Sequence, residues 1–152
     1  MEERPRNLVR VLILCTGNSC RSQMAEAFVK RLRPDWEVYS AGTDPALQVH
    51  PFTLEVMREV GVDLSKAKTK SVDRFLSSPF DYVITVCDQA REACPVFLGK
   101  VQHRLHIGFD DPAEAVGTKE VILAEFRRVR DEIQDAFEEF VRRVEADLSA
   151  RR

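Results

Sequence analysis

Residues 12–22, LILCTGNSCRS, place an apolar run directly before a loop of small and polar residues. The run Val9–Leu14 carries no charge after Arg10 and is rich in β-branched residues, which predicts a fully buried strand. Beyond the loop, apolar residues recur at spacings of three and four over about Arg21–Leu32, which predicts a helix. The stretch is therefore predicted to be a strand, a tight loop and a helix, which together form a βα unit.

The rest of the chain repeats this alternation of strands and helices. Further strands are predicted at 36–42 (WEVYSAG), 80–87 (FDYVITVC) and 100–109 (KVQHRLHIGF, ending near Asp110). Further helices are predicted at 51–60, with Gly61 just past the end, and at about 118–148. Strands that alternate with helices predict an α/β fold with a four-stranded parallel sheet flanked by helices on both faces. We expect one domain over residues 1–152, with its site at the carboxyl ends of the strands.

Composition excludes several classes of function. The 152 residues contain 23 Lys and Arg against 25 Asp and Glu, and the net charge of -2 favours neither a nucleic-acid partner nor a membrane surface. The amino terminus has only a short apolar stretch, too short for a signal sequence or a membrane span. We therefore expect a cytoplasmic monomer. In that reducing compartment, four cysteines indicate catalytic, redox or metal-binding thiols more than static disulfides.

The loop after the first predicted strand has the features of an anion site. Backbone N–H groups and the helix dipole converge there, so Cys15 is expected to have a lowered pKa, helped by the charge of Arg21. Ser22 could donate a hydrogen bond to the sulfur, and Arg21 can bind two oxygens of an anion at once. The residues expected to bind the anion are Thr16, Gly17, Asn18, Ser19, Cys20 and Arg21. The alternative, a core cysteine beside a solvated arginine, is disfavoured by the C-x5-R-S pattern between strand and helix.

The segment Cys15–Ser22 resembles the active-site loop of the low-molecular-weight protein tyrosine phosphatases. CTGNSCRSQMAE is most similar to the arsenate-reductase branch of that family, whose members are coupled to thioredoxin. VYSAG, VCDQAREACP, GFDDPA and FRRVRDEI follow in the same order as in that branch. The resemblance implies a low-molecular-weight phosphotyrosine phosphatase-like fold, arsenate as substrate, thioredoxin as electron donor and no tightly bound cofactor.

Two further cysteines distinguish a reductase from a phosphatase. Reduction of arsenate to arsenite takes two electrons, which two thiols supply when they form a disulfide. The resemblance implies that Cys15 attacks arsenate, that Cys87 attacks Cys15 and expels arsenite, and that Cys94 then attacks Cys87. Thioredoxin would reduce the final Cys87–Cys94 disulfide. Taken alone, Cys87 could equally be a core residue that closes a strand.

The spacing of Cys87 and Cys94 makes a structural prediction. Seven residues apart on an intact helix, they would lie about 10.5 Å apart along the axis, whereas a disulfide needs Cα atoms roughly 4.4 to 6.8 Å apart. We therefore expect residues 87–94 to be helical or loosely looped when reduced and to unwind on oxidation.

The motif GFDDPA supplies a candidate general acid. By resemblance the aspartate before the proline, Asp111, protonates the leaving oxygen. Without that context, Asp110 and Asp111 would read as turn formers before Pro112. The three histidines, His50, His103 and His106, stand outside the motifs and are not expected to be catalytic.

Two other functions remain open. The first is a phosphotyrosine or phosphomonoester phosphatase that uses Cys15, Arg21 and Asp111, although DPAEA lacks the aromatic residues that would stack a phenyl group. The second is an anion-sensing or redox-sensing binding module, which would need no acid. A zinc site is disfavoured because C-x4-C and C-x6-C lack the usual C-x2-C spacing.

A potassium site is doubtful. Some arsenate reductases of this branch bind potassium beside the loop through positions that resemble Asn18, Glu26, Ser40 and Thr69, together with an aspartate. Ser71 stands at that last position here, so we predict no metal in this protein.

Overall fold

The computed structural model describes residues 8–150, and its four strands form one parallel sheet in the order β2-β1-β3-β4. The strands are β1 (Arg10–Cys15), β2 (Glu37–Gly42), β3 (Phe80–Thr85) and β4 (Val101–His106). The helices are α1 (Arg21–Leu32), α2 (Pro51–Glu59), α3 (Asp88–Glu92) and α4 (Lys119–Ala150), and short 3-10 turns cover Val72–Phe75 and Pro112–Glu114. The predicted four-stranded parallel α/β fold is confirmed.

Strand β1 lies at the centre of the sheet and creates the crevice in which a site can form. Its residues 11–14 are fully buried, as expected for an apolar strand covered on both faces. Leu14 pairs with Ala41 of β2 on one side and with Thr85 of β3 on the other. Strands β2 and β3 flank β1 on its two edges, so the strand order reverses direction at β1. The carboxyl end of β1 is therefore a topological switch point, where ligands bind in folds of this kind.

Two predicted strand ends are wrong. Strand β3 ends at Thr85 rather than at residue 87, and β4 ends at His106 rather than near Asp110. The chain after each strand keeps single hydrogen bonds to its neighbour, since Val86 N–H donates to the Leu14 carbonyl and Phe109 N–H to the Val86 carbonyl. The apolar pattern continues past the regular ladder because these residues stay beside the sheet without extending it.

Helices cover the sheet and supply much of the core. Helix α1 packs against β1, β2 and α4, and α2 packs against α4. The core residues of α4 recur at helical spacing and are Leu123, Phe126, Val129, Ile133, Phe137, Phe140, Val141 and Val144. Among residues 8–150, no helix is both long and apolar enough to cross a membrane.

Candidate active site

The loop between β1 and α1 wraps around the sulfur of Cys15. Asn18 adopts a left-handed conformation with φ of 53°, which turns its N–H inward to donate to the Cys15 sulfur at 3.1 Å. The hydroxyl of Ser22, in the first turn of α1, lies 2.8 Å from the same sulfur. The sequence placed Ser22 beside Cys15, and the structure brings the two together.

The predicted direction of the Cys15 pKa is wrong for this conformation. Burial raises the pKa of the Cys15 thiol, while the hydroxyl of Ser22, the N–H groups of Ser22 and Asn18 and the charge of Arg21 oppose that effect. The side chain is only 3% exposed. The motif reveals the hydrogen-bond donors around the sulfur, but not how completely the fold removes the sulfur from water.

The side chain of Asn18 holds the loop in shape. Its amide nitrogen donates to the hydroxyls of Ser22 (2.8 Å) and Ser40 (2.9 Å). Its amide oxygen accepts from Gln23 Nε2 (3.1 Å) and from the N–H of Lys70 (3.0 Å). Every hydrogen-bonding atom of this buried amide therefore has a partner, and the loop is preorganised.

Gln23 and Gly42 support the loop, and our sequence analysis did not identify either of them. Gln23 is buried, and its amide nitrogen also donates to the carbonyls of Asn18 and Lys68. A Cβ on Gly42 would lie 2.4 Å from the carbonyl oxygen of Thr16, so only glycine lets β2 end this close to the loop. For Gly42, the signal in the sequence is that the predicted strand VYSAG ends in glycine.

Arg21 is buried beside the loop and is only partly neutralised. Its Nη1 donates to the carbonyl of Phe109 at 3.0 Å, and its Nη2 lies 3.5 Å from Oδ2 of Asp111. Its buried Nε has no hydrogen-bond partner among residues 8–150. An unpartnered cationic N–H in a buried position is costly, so Arg21 is suited to receive an anion.

A cavity of about 270 Å³ opens above the loop. Its lining includes Cys15 and five of the six predicted anion-binding residues, Thr16, Gly17, Ser19, Cys20 and Arg21, together with Gln89, Asp111, Ala113 and Glu114. The sixth, Asn18, does not line it. Asp111 accepts a hydrogen bond from the N–H of Ala113 and faces the cavity, whereas Asp110 pairs with Arg128 at 3.1 Å. Position therefore favours Asp111 over Asp110 as the acid.

Cys87 lies beside the same loop. It follows β3, the strand next to β1, and its sulfur lies 3.4 Å from the hydroxyl of Thr16. The sulfur also accepts a hydrogen bond from the N–H of Ala90 at 3.4 Å, so Cys87 caps the amino terminus of α3. The fold thus brings together two cysteines that are 72 positions apart in the sequence.

Cys94 lies just beyond the far end of α3. It is half-buried; burial raises the pKa of its thiol, and the charge of Arg104 opposes this. With the four cysteines as free thiols, residues 88–92 are helical and 93–94 are not, in line with the expected helical or loosely looped segment. Unwinding on oxidation stays a prediction.

Cys20 lines the cavity but is not one of the thiols expected to take part in a relay, and the three histidines lie elsewhere. Burial raises the pKa of Cys20 to about 11, against a hydrogen bond with Ser19. His50 caps α2, His103 stacks on Tyr82, and His106 ends β4; none of the three lines the cavity above the loop. Trp36 is buried in the core.

The residues that resemble a potassium site do not fit that ion. The carboxylate of Glu26 already faces two cations, Lys30 Nζ at 2.6 Å and Lys70 Nζ at 3.9 Å. The hydroxyl of Thr69 donates to a backbone carbonyl, and that of Ser71 accepts the N–H of Asp73. Lysine ammonium groups therefore supply the positive charge that potassium would bring.

Similarity to known proteins places these observations in a family. The profile of the low molecular weight phosphotyrosine protein phosphatases matches residues 10–150. The chain belongs to that family. Some relatives are nearly half identical to this chain in sequence.

Two curated relatives and one solved structure carry the same description. The chain is 48% identical over 124 residues to an arsenate reductase of Halalkalibacterium halodurans, covering 81% of this chain and 88% of that protein. It is 46% identical over 131 residues to an arsenate reductase of Bacillus subtilis, covering 86% and 93%. A solved structure described as an arsenate reductase in the phosphate binding state superimposes with a TM-score of 0.75 at 29% identity, covering 89% of this chain and 98% of the other.

Proposed function

We propose that this protein reduces arsenate to arsenite through a relay of Cys15, Cys87 and Cys94. One observation carries the proposal: the thiol of Cys87 lies against Thr16, in the loop that encloses Cys15. A hydrolytic phosphatase needs one thiol in this loop, whereas a reductase needs a second within reach. The similarity to proteins described as arsenate reductases supports the same conclusion.

The cavity above the loop binds the oxyanion. Backbone N–H groups of the loop and the amino terminus of α1 favour negative charge, and the unpartnered Nε of Arg21 donates to one oxygen. Arsenate enters as a tetrahedral anion with its central atom above the sulfur of Cys15. The bound dianion can accept the proton of the Cys15 thiol, so a raised pKa in the empty loop does not prevent attack.

The chemistry proceeds in three exchanges. Cys15 displaces one oxygen of arsenate, which leaves as water after Asp111 supplies a proton, and a thiol-arsenate adduct forms. Cys87 attacks the sulfur of Cys15; the sulfur–arsenic bond breaks, its electron pair stays on arsenic, and arsenite leaves. Cys94 then attacks Cys87, which gives a Cys87–Cys94 disulfide and frees Cys15.

A thioredoxin is the proposed electron donor for this disulfide. Cys94 is the more accessible of the two sulfurs, since its side chain is partly exposed whereas Cys87 is buried. A donor thiolate would therefore reach Cys94 first. A cytoplasmic location suits the relay, because its thiols must begin each cycle reduced. We propose that the protein acts as a monomer, since the three thiols lie in one chain.

A single turnover tests the relay. Wild type mixed with arsenate, without a reductant, is expected to lose two thiols for each arsenite released, as measured by thiol titration and by arsenite analysis. The Cys94→Ser variant is expected to release arsenite once and to stop with a Cys15–Cys87 disulfide, which peptide mass mapping would detect. Arsenite formed without loss of thiols would refute the relay.

Phosphatase activity is the second candidate function. The cavity holds Cys15, Arg21 and Asp111, which suffice to cleave a phosphomonoester without any further thiol. Ala113 and Glu114 follow Asp111–Pro112 and offer no aromatic ring for a phenyl substrate. We therefore propose phosphatase action as a weak side activity.

Potassium is expected to have no effect on this protein. Because Lys30 and Lys70 already face Glu26, exchanging potassium chloride for choline chloride at constant ionic strength should change kcat/KM for arsenate by less than about twofold. The melting temperature should likewise stay constant. Glu26→Gln provides the contrast, since it would leave both ammonium groups without their carboxylate. A rise in activity that saturates with potassium would contradict this expectation.

A further inference from the structure

The imidazole of His106 contacts residues on both sides of Cys87 in the sequence. Its Nδ1 lies 2.8 Å from the hydroxyl of Thr85, two residues before Cys87, and its Nε2 lies 3.1 Å from Oδ1 of Asp88, one residue after it. His106 is the last residue of β4, which pairs with β3. One ring therefore connects the edge strand, the end of β3 and the first residue of α3.

The direction of these hydrogen bonds follows from the partners. A carboxylate only accepts, so Nε2 donates to Asp88 whether the ring is neutral or charged. In the neutral ring, Nδ1 then accepts the hydroxyl proton of Thr85. The ring is mostly shielded from water, with 21% of its side chain exposed, although Asp88 itself is 87% exposed.

The space for this arrangement is provided by Gly108. A Cβ at Gly108 would lie 2.9 Å from Nε2 of His106, closer than real Cβ contacts allow. Any larger residue there would displace the ring from Asp88. None of the reaction steps above needs a glycine at this position of the GFDDPA motif, whereas the placement of His106 does.

After β3 ends, backbone hydrogen bonds among residues 8–150 still join the chain to the sheet at Val86, but not at the residues of α3. Ile107 N–H donates to the Thr85 carbonyl, and Phe109 N–H donates to the Val86 carbonyl. From Asp88 onward, the backbone hydrogen bonds of α3 are internal, such as Arg91 N–H to the Cys87 carbonyl. The contact between Asp88 and His106 is thus a side-chain link between α3 and the sheet at the point where unwinding would begin.

We propose that His106 is a positioning residue for the relay: through Asp88 it holds α3 in the helical dithiol form and thereby makes the Cys87–Cys94 disulfide easier to reduce. This inference rests on the proposed relay. The contact joins β4 to the residue next to Cys87, and the predicted unwinding of residues 87–94 on oxidation would move Asp88. A contact present in the dithiol and absent in the disulfide stabilises the dithiol, so its removal favours oxidation.

The test measures the equilibrium of the Cys87–Cys94 couple in glutathione buffers. In this reaction, two protein thiols are oxidised to a disulfide while one oxidised glutathione is reduced to two thiols. Cys15→Ser is used as the background so that only this pair forms. Asp88→Ala is expected to shift the constant toward the disulfide by about three- to tenfold, or roughly 14 to 30 mV at 29.6 mV per factor of ten.

A double-mutant cycle separates this contact from a general effect on α3. Asp88→Ala also removes a negative charge from the first turn of α3, so His106→Ala and the double variant are measured too. We expect the second substitution to add less than about twofold to the first. Gly108→Ala is expected to act in the same direction without altering either partner, and Asp88→Asn, which keeps an accepting oxygen, to restore most of the wild-type value. Asp35→Ala, which removes an ion pair with Arg33 elsewhere, is the matched control.

The outcomes distinguish the two proposals. If the background protein forms no Cys87–Cys94 disulfide in oxidised buffer, the relay and the role of His106 both fail. If it forms the disulfide but the effects of Asp88→Ala and His106→Ala are fully additive, the relay stands and the role of His106 is overturned. Hydrolysis of p-nitrophenyl phosphate by Asp88→Ala in the protein with Cys15 present should stay within about twofold of wild type, since Asp88 does not line the cavity above the loop.

Discussion

Changing Cys87 to serine is expected to abolish arsenite release and to spare hydrolysis of p-nitrophenyl phosphate. The hydroxyl of serine cannot displace arsenite from the Cys15 adduct to form a disulfide, so no electron pair reaches arsenic. We expect a loss of at least about 10³-fold in the rate of arsenite formation, with phosphatase activity within roughly threefold of wild type. Both rates are measured on the same preparation, which makes each variant its own folding control.

Two results would contradict this expectation. Arsenite release by Cys87→Ser at a rate near wild type would show that another thiol or an added reductant resolves the adduct. Parallel loss of both activities would show that Cys87 supports the loop through its contact with Thr16 rather than acting as a nucleophile. Cys94→Ser is the matched substitution, since it should release one arsenite and retain phosphatase activity.

Changing Arg21 to lysine is expected to lower kcat/KM for both arsenate and p-nitrophenyl phosphate by about 10² to 10⁴. Lysine keeps the charge but has no donor at the position of Nε, the atom that is buried without a partner in the empty site. It also cannot bind two oxygens in one plane. Titration with inorganic phosphate should show weakened binding, because phosphate needs the same donors.

The surface arginine Arg128 provides the control for this substitution. It pairs with Asp110, Glu125 and Glu132 on the exposed side of α4, where ion pairs contribute little to stability. Arg128→Lys is expected to keep both activities within about threefold. If Arg21→Lys lost no more activity than Arg128→Lys, the anion would bind without Arg21, and the proposed geometry of the site would be wrong.

Much of the fold followed from patterns that are local in the chain. The apolar run before Cys15 predicted a fully buried strand, because both faces of a parallel strand are covered. The apolar spacing in 118–148 predicted α4 to within a few residues. The ends of β3 and β4 were missed because the regular ladder stops where the neighbouring strand stops, and that information lies in another part of the chain.

In the candidate site, too, the loop residues, which are close in sequence, were predicted and their distant supports were not. The C-x5-R-S motif predicted the anion loop because its residues are close in sequence, so a strand, a loop and a helix are enough to bring their donors together. Gly42 and Lys70 support the loop from segments far along the chain, and no spacing in the sequence connects them to it. Their roles depend on β2 lying beside β1.

Residue types and their spacing along the chain were sufficient to predict the class of fold, the nucleophile loop and the thiols available for a relay. Only the folded chain decides that Cys87 meets Thr16, that His106 reaches Asp88, and that burial raises the pKa of Cys15. The physical reason is that distance and dielectric environment depend on the packing of segments far apart in sequence. A local pattern specifies which groups exist, whereas packing decides which of them meet and how much water surrounds them.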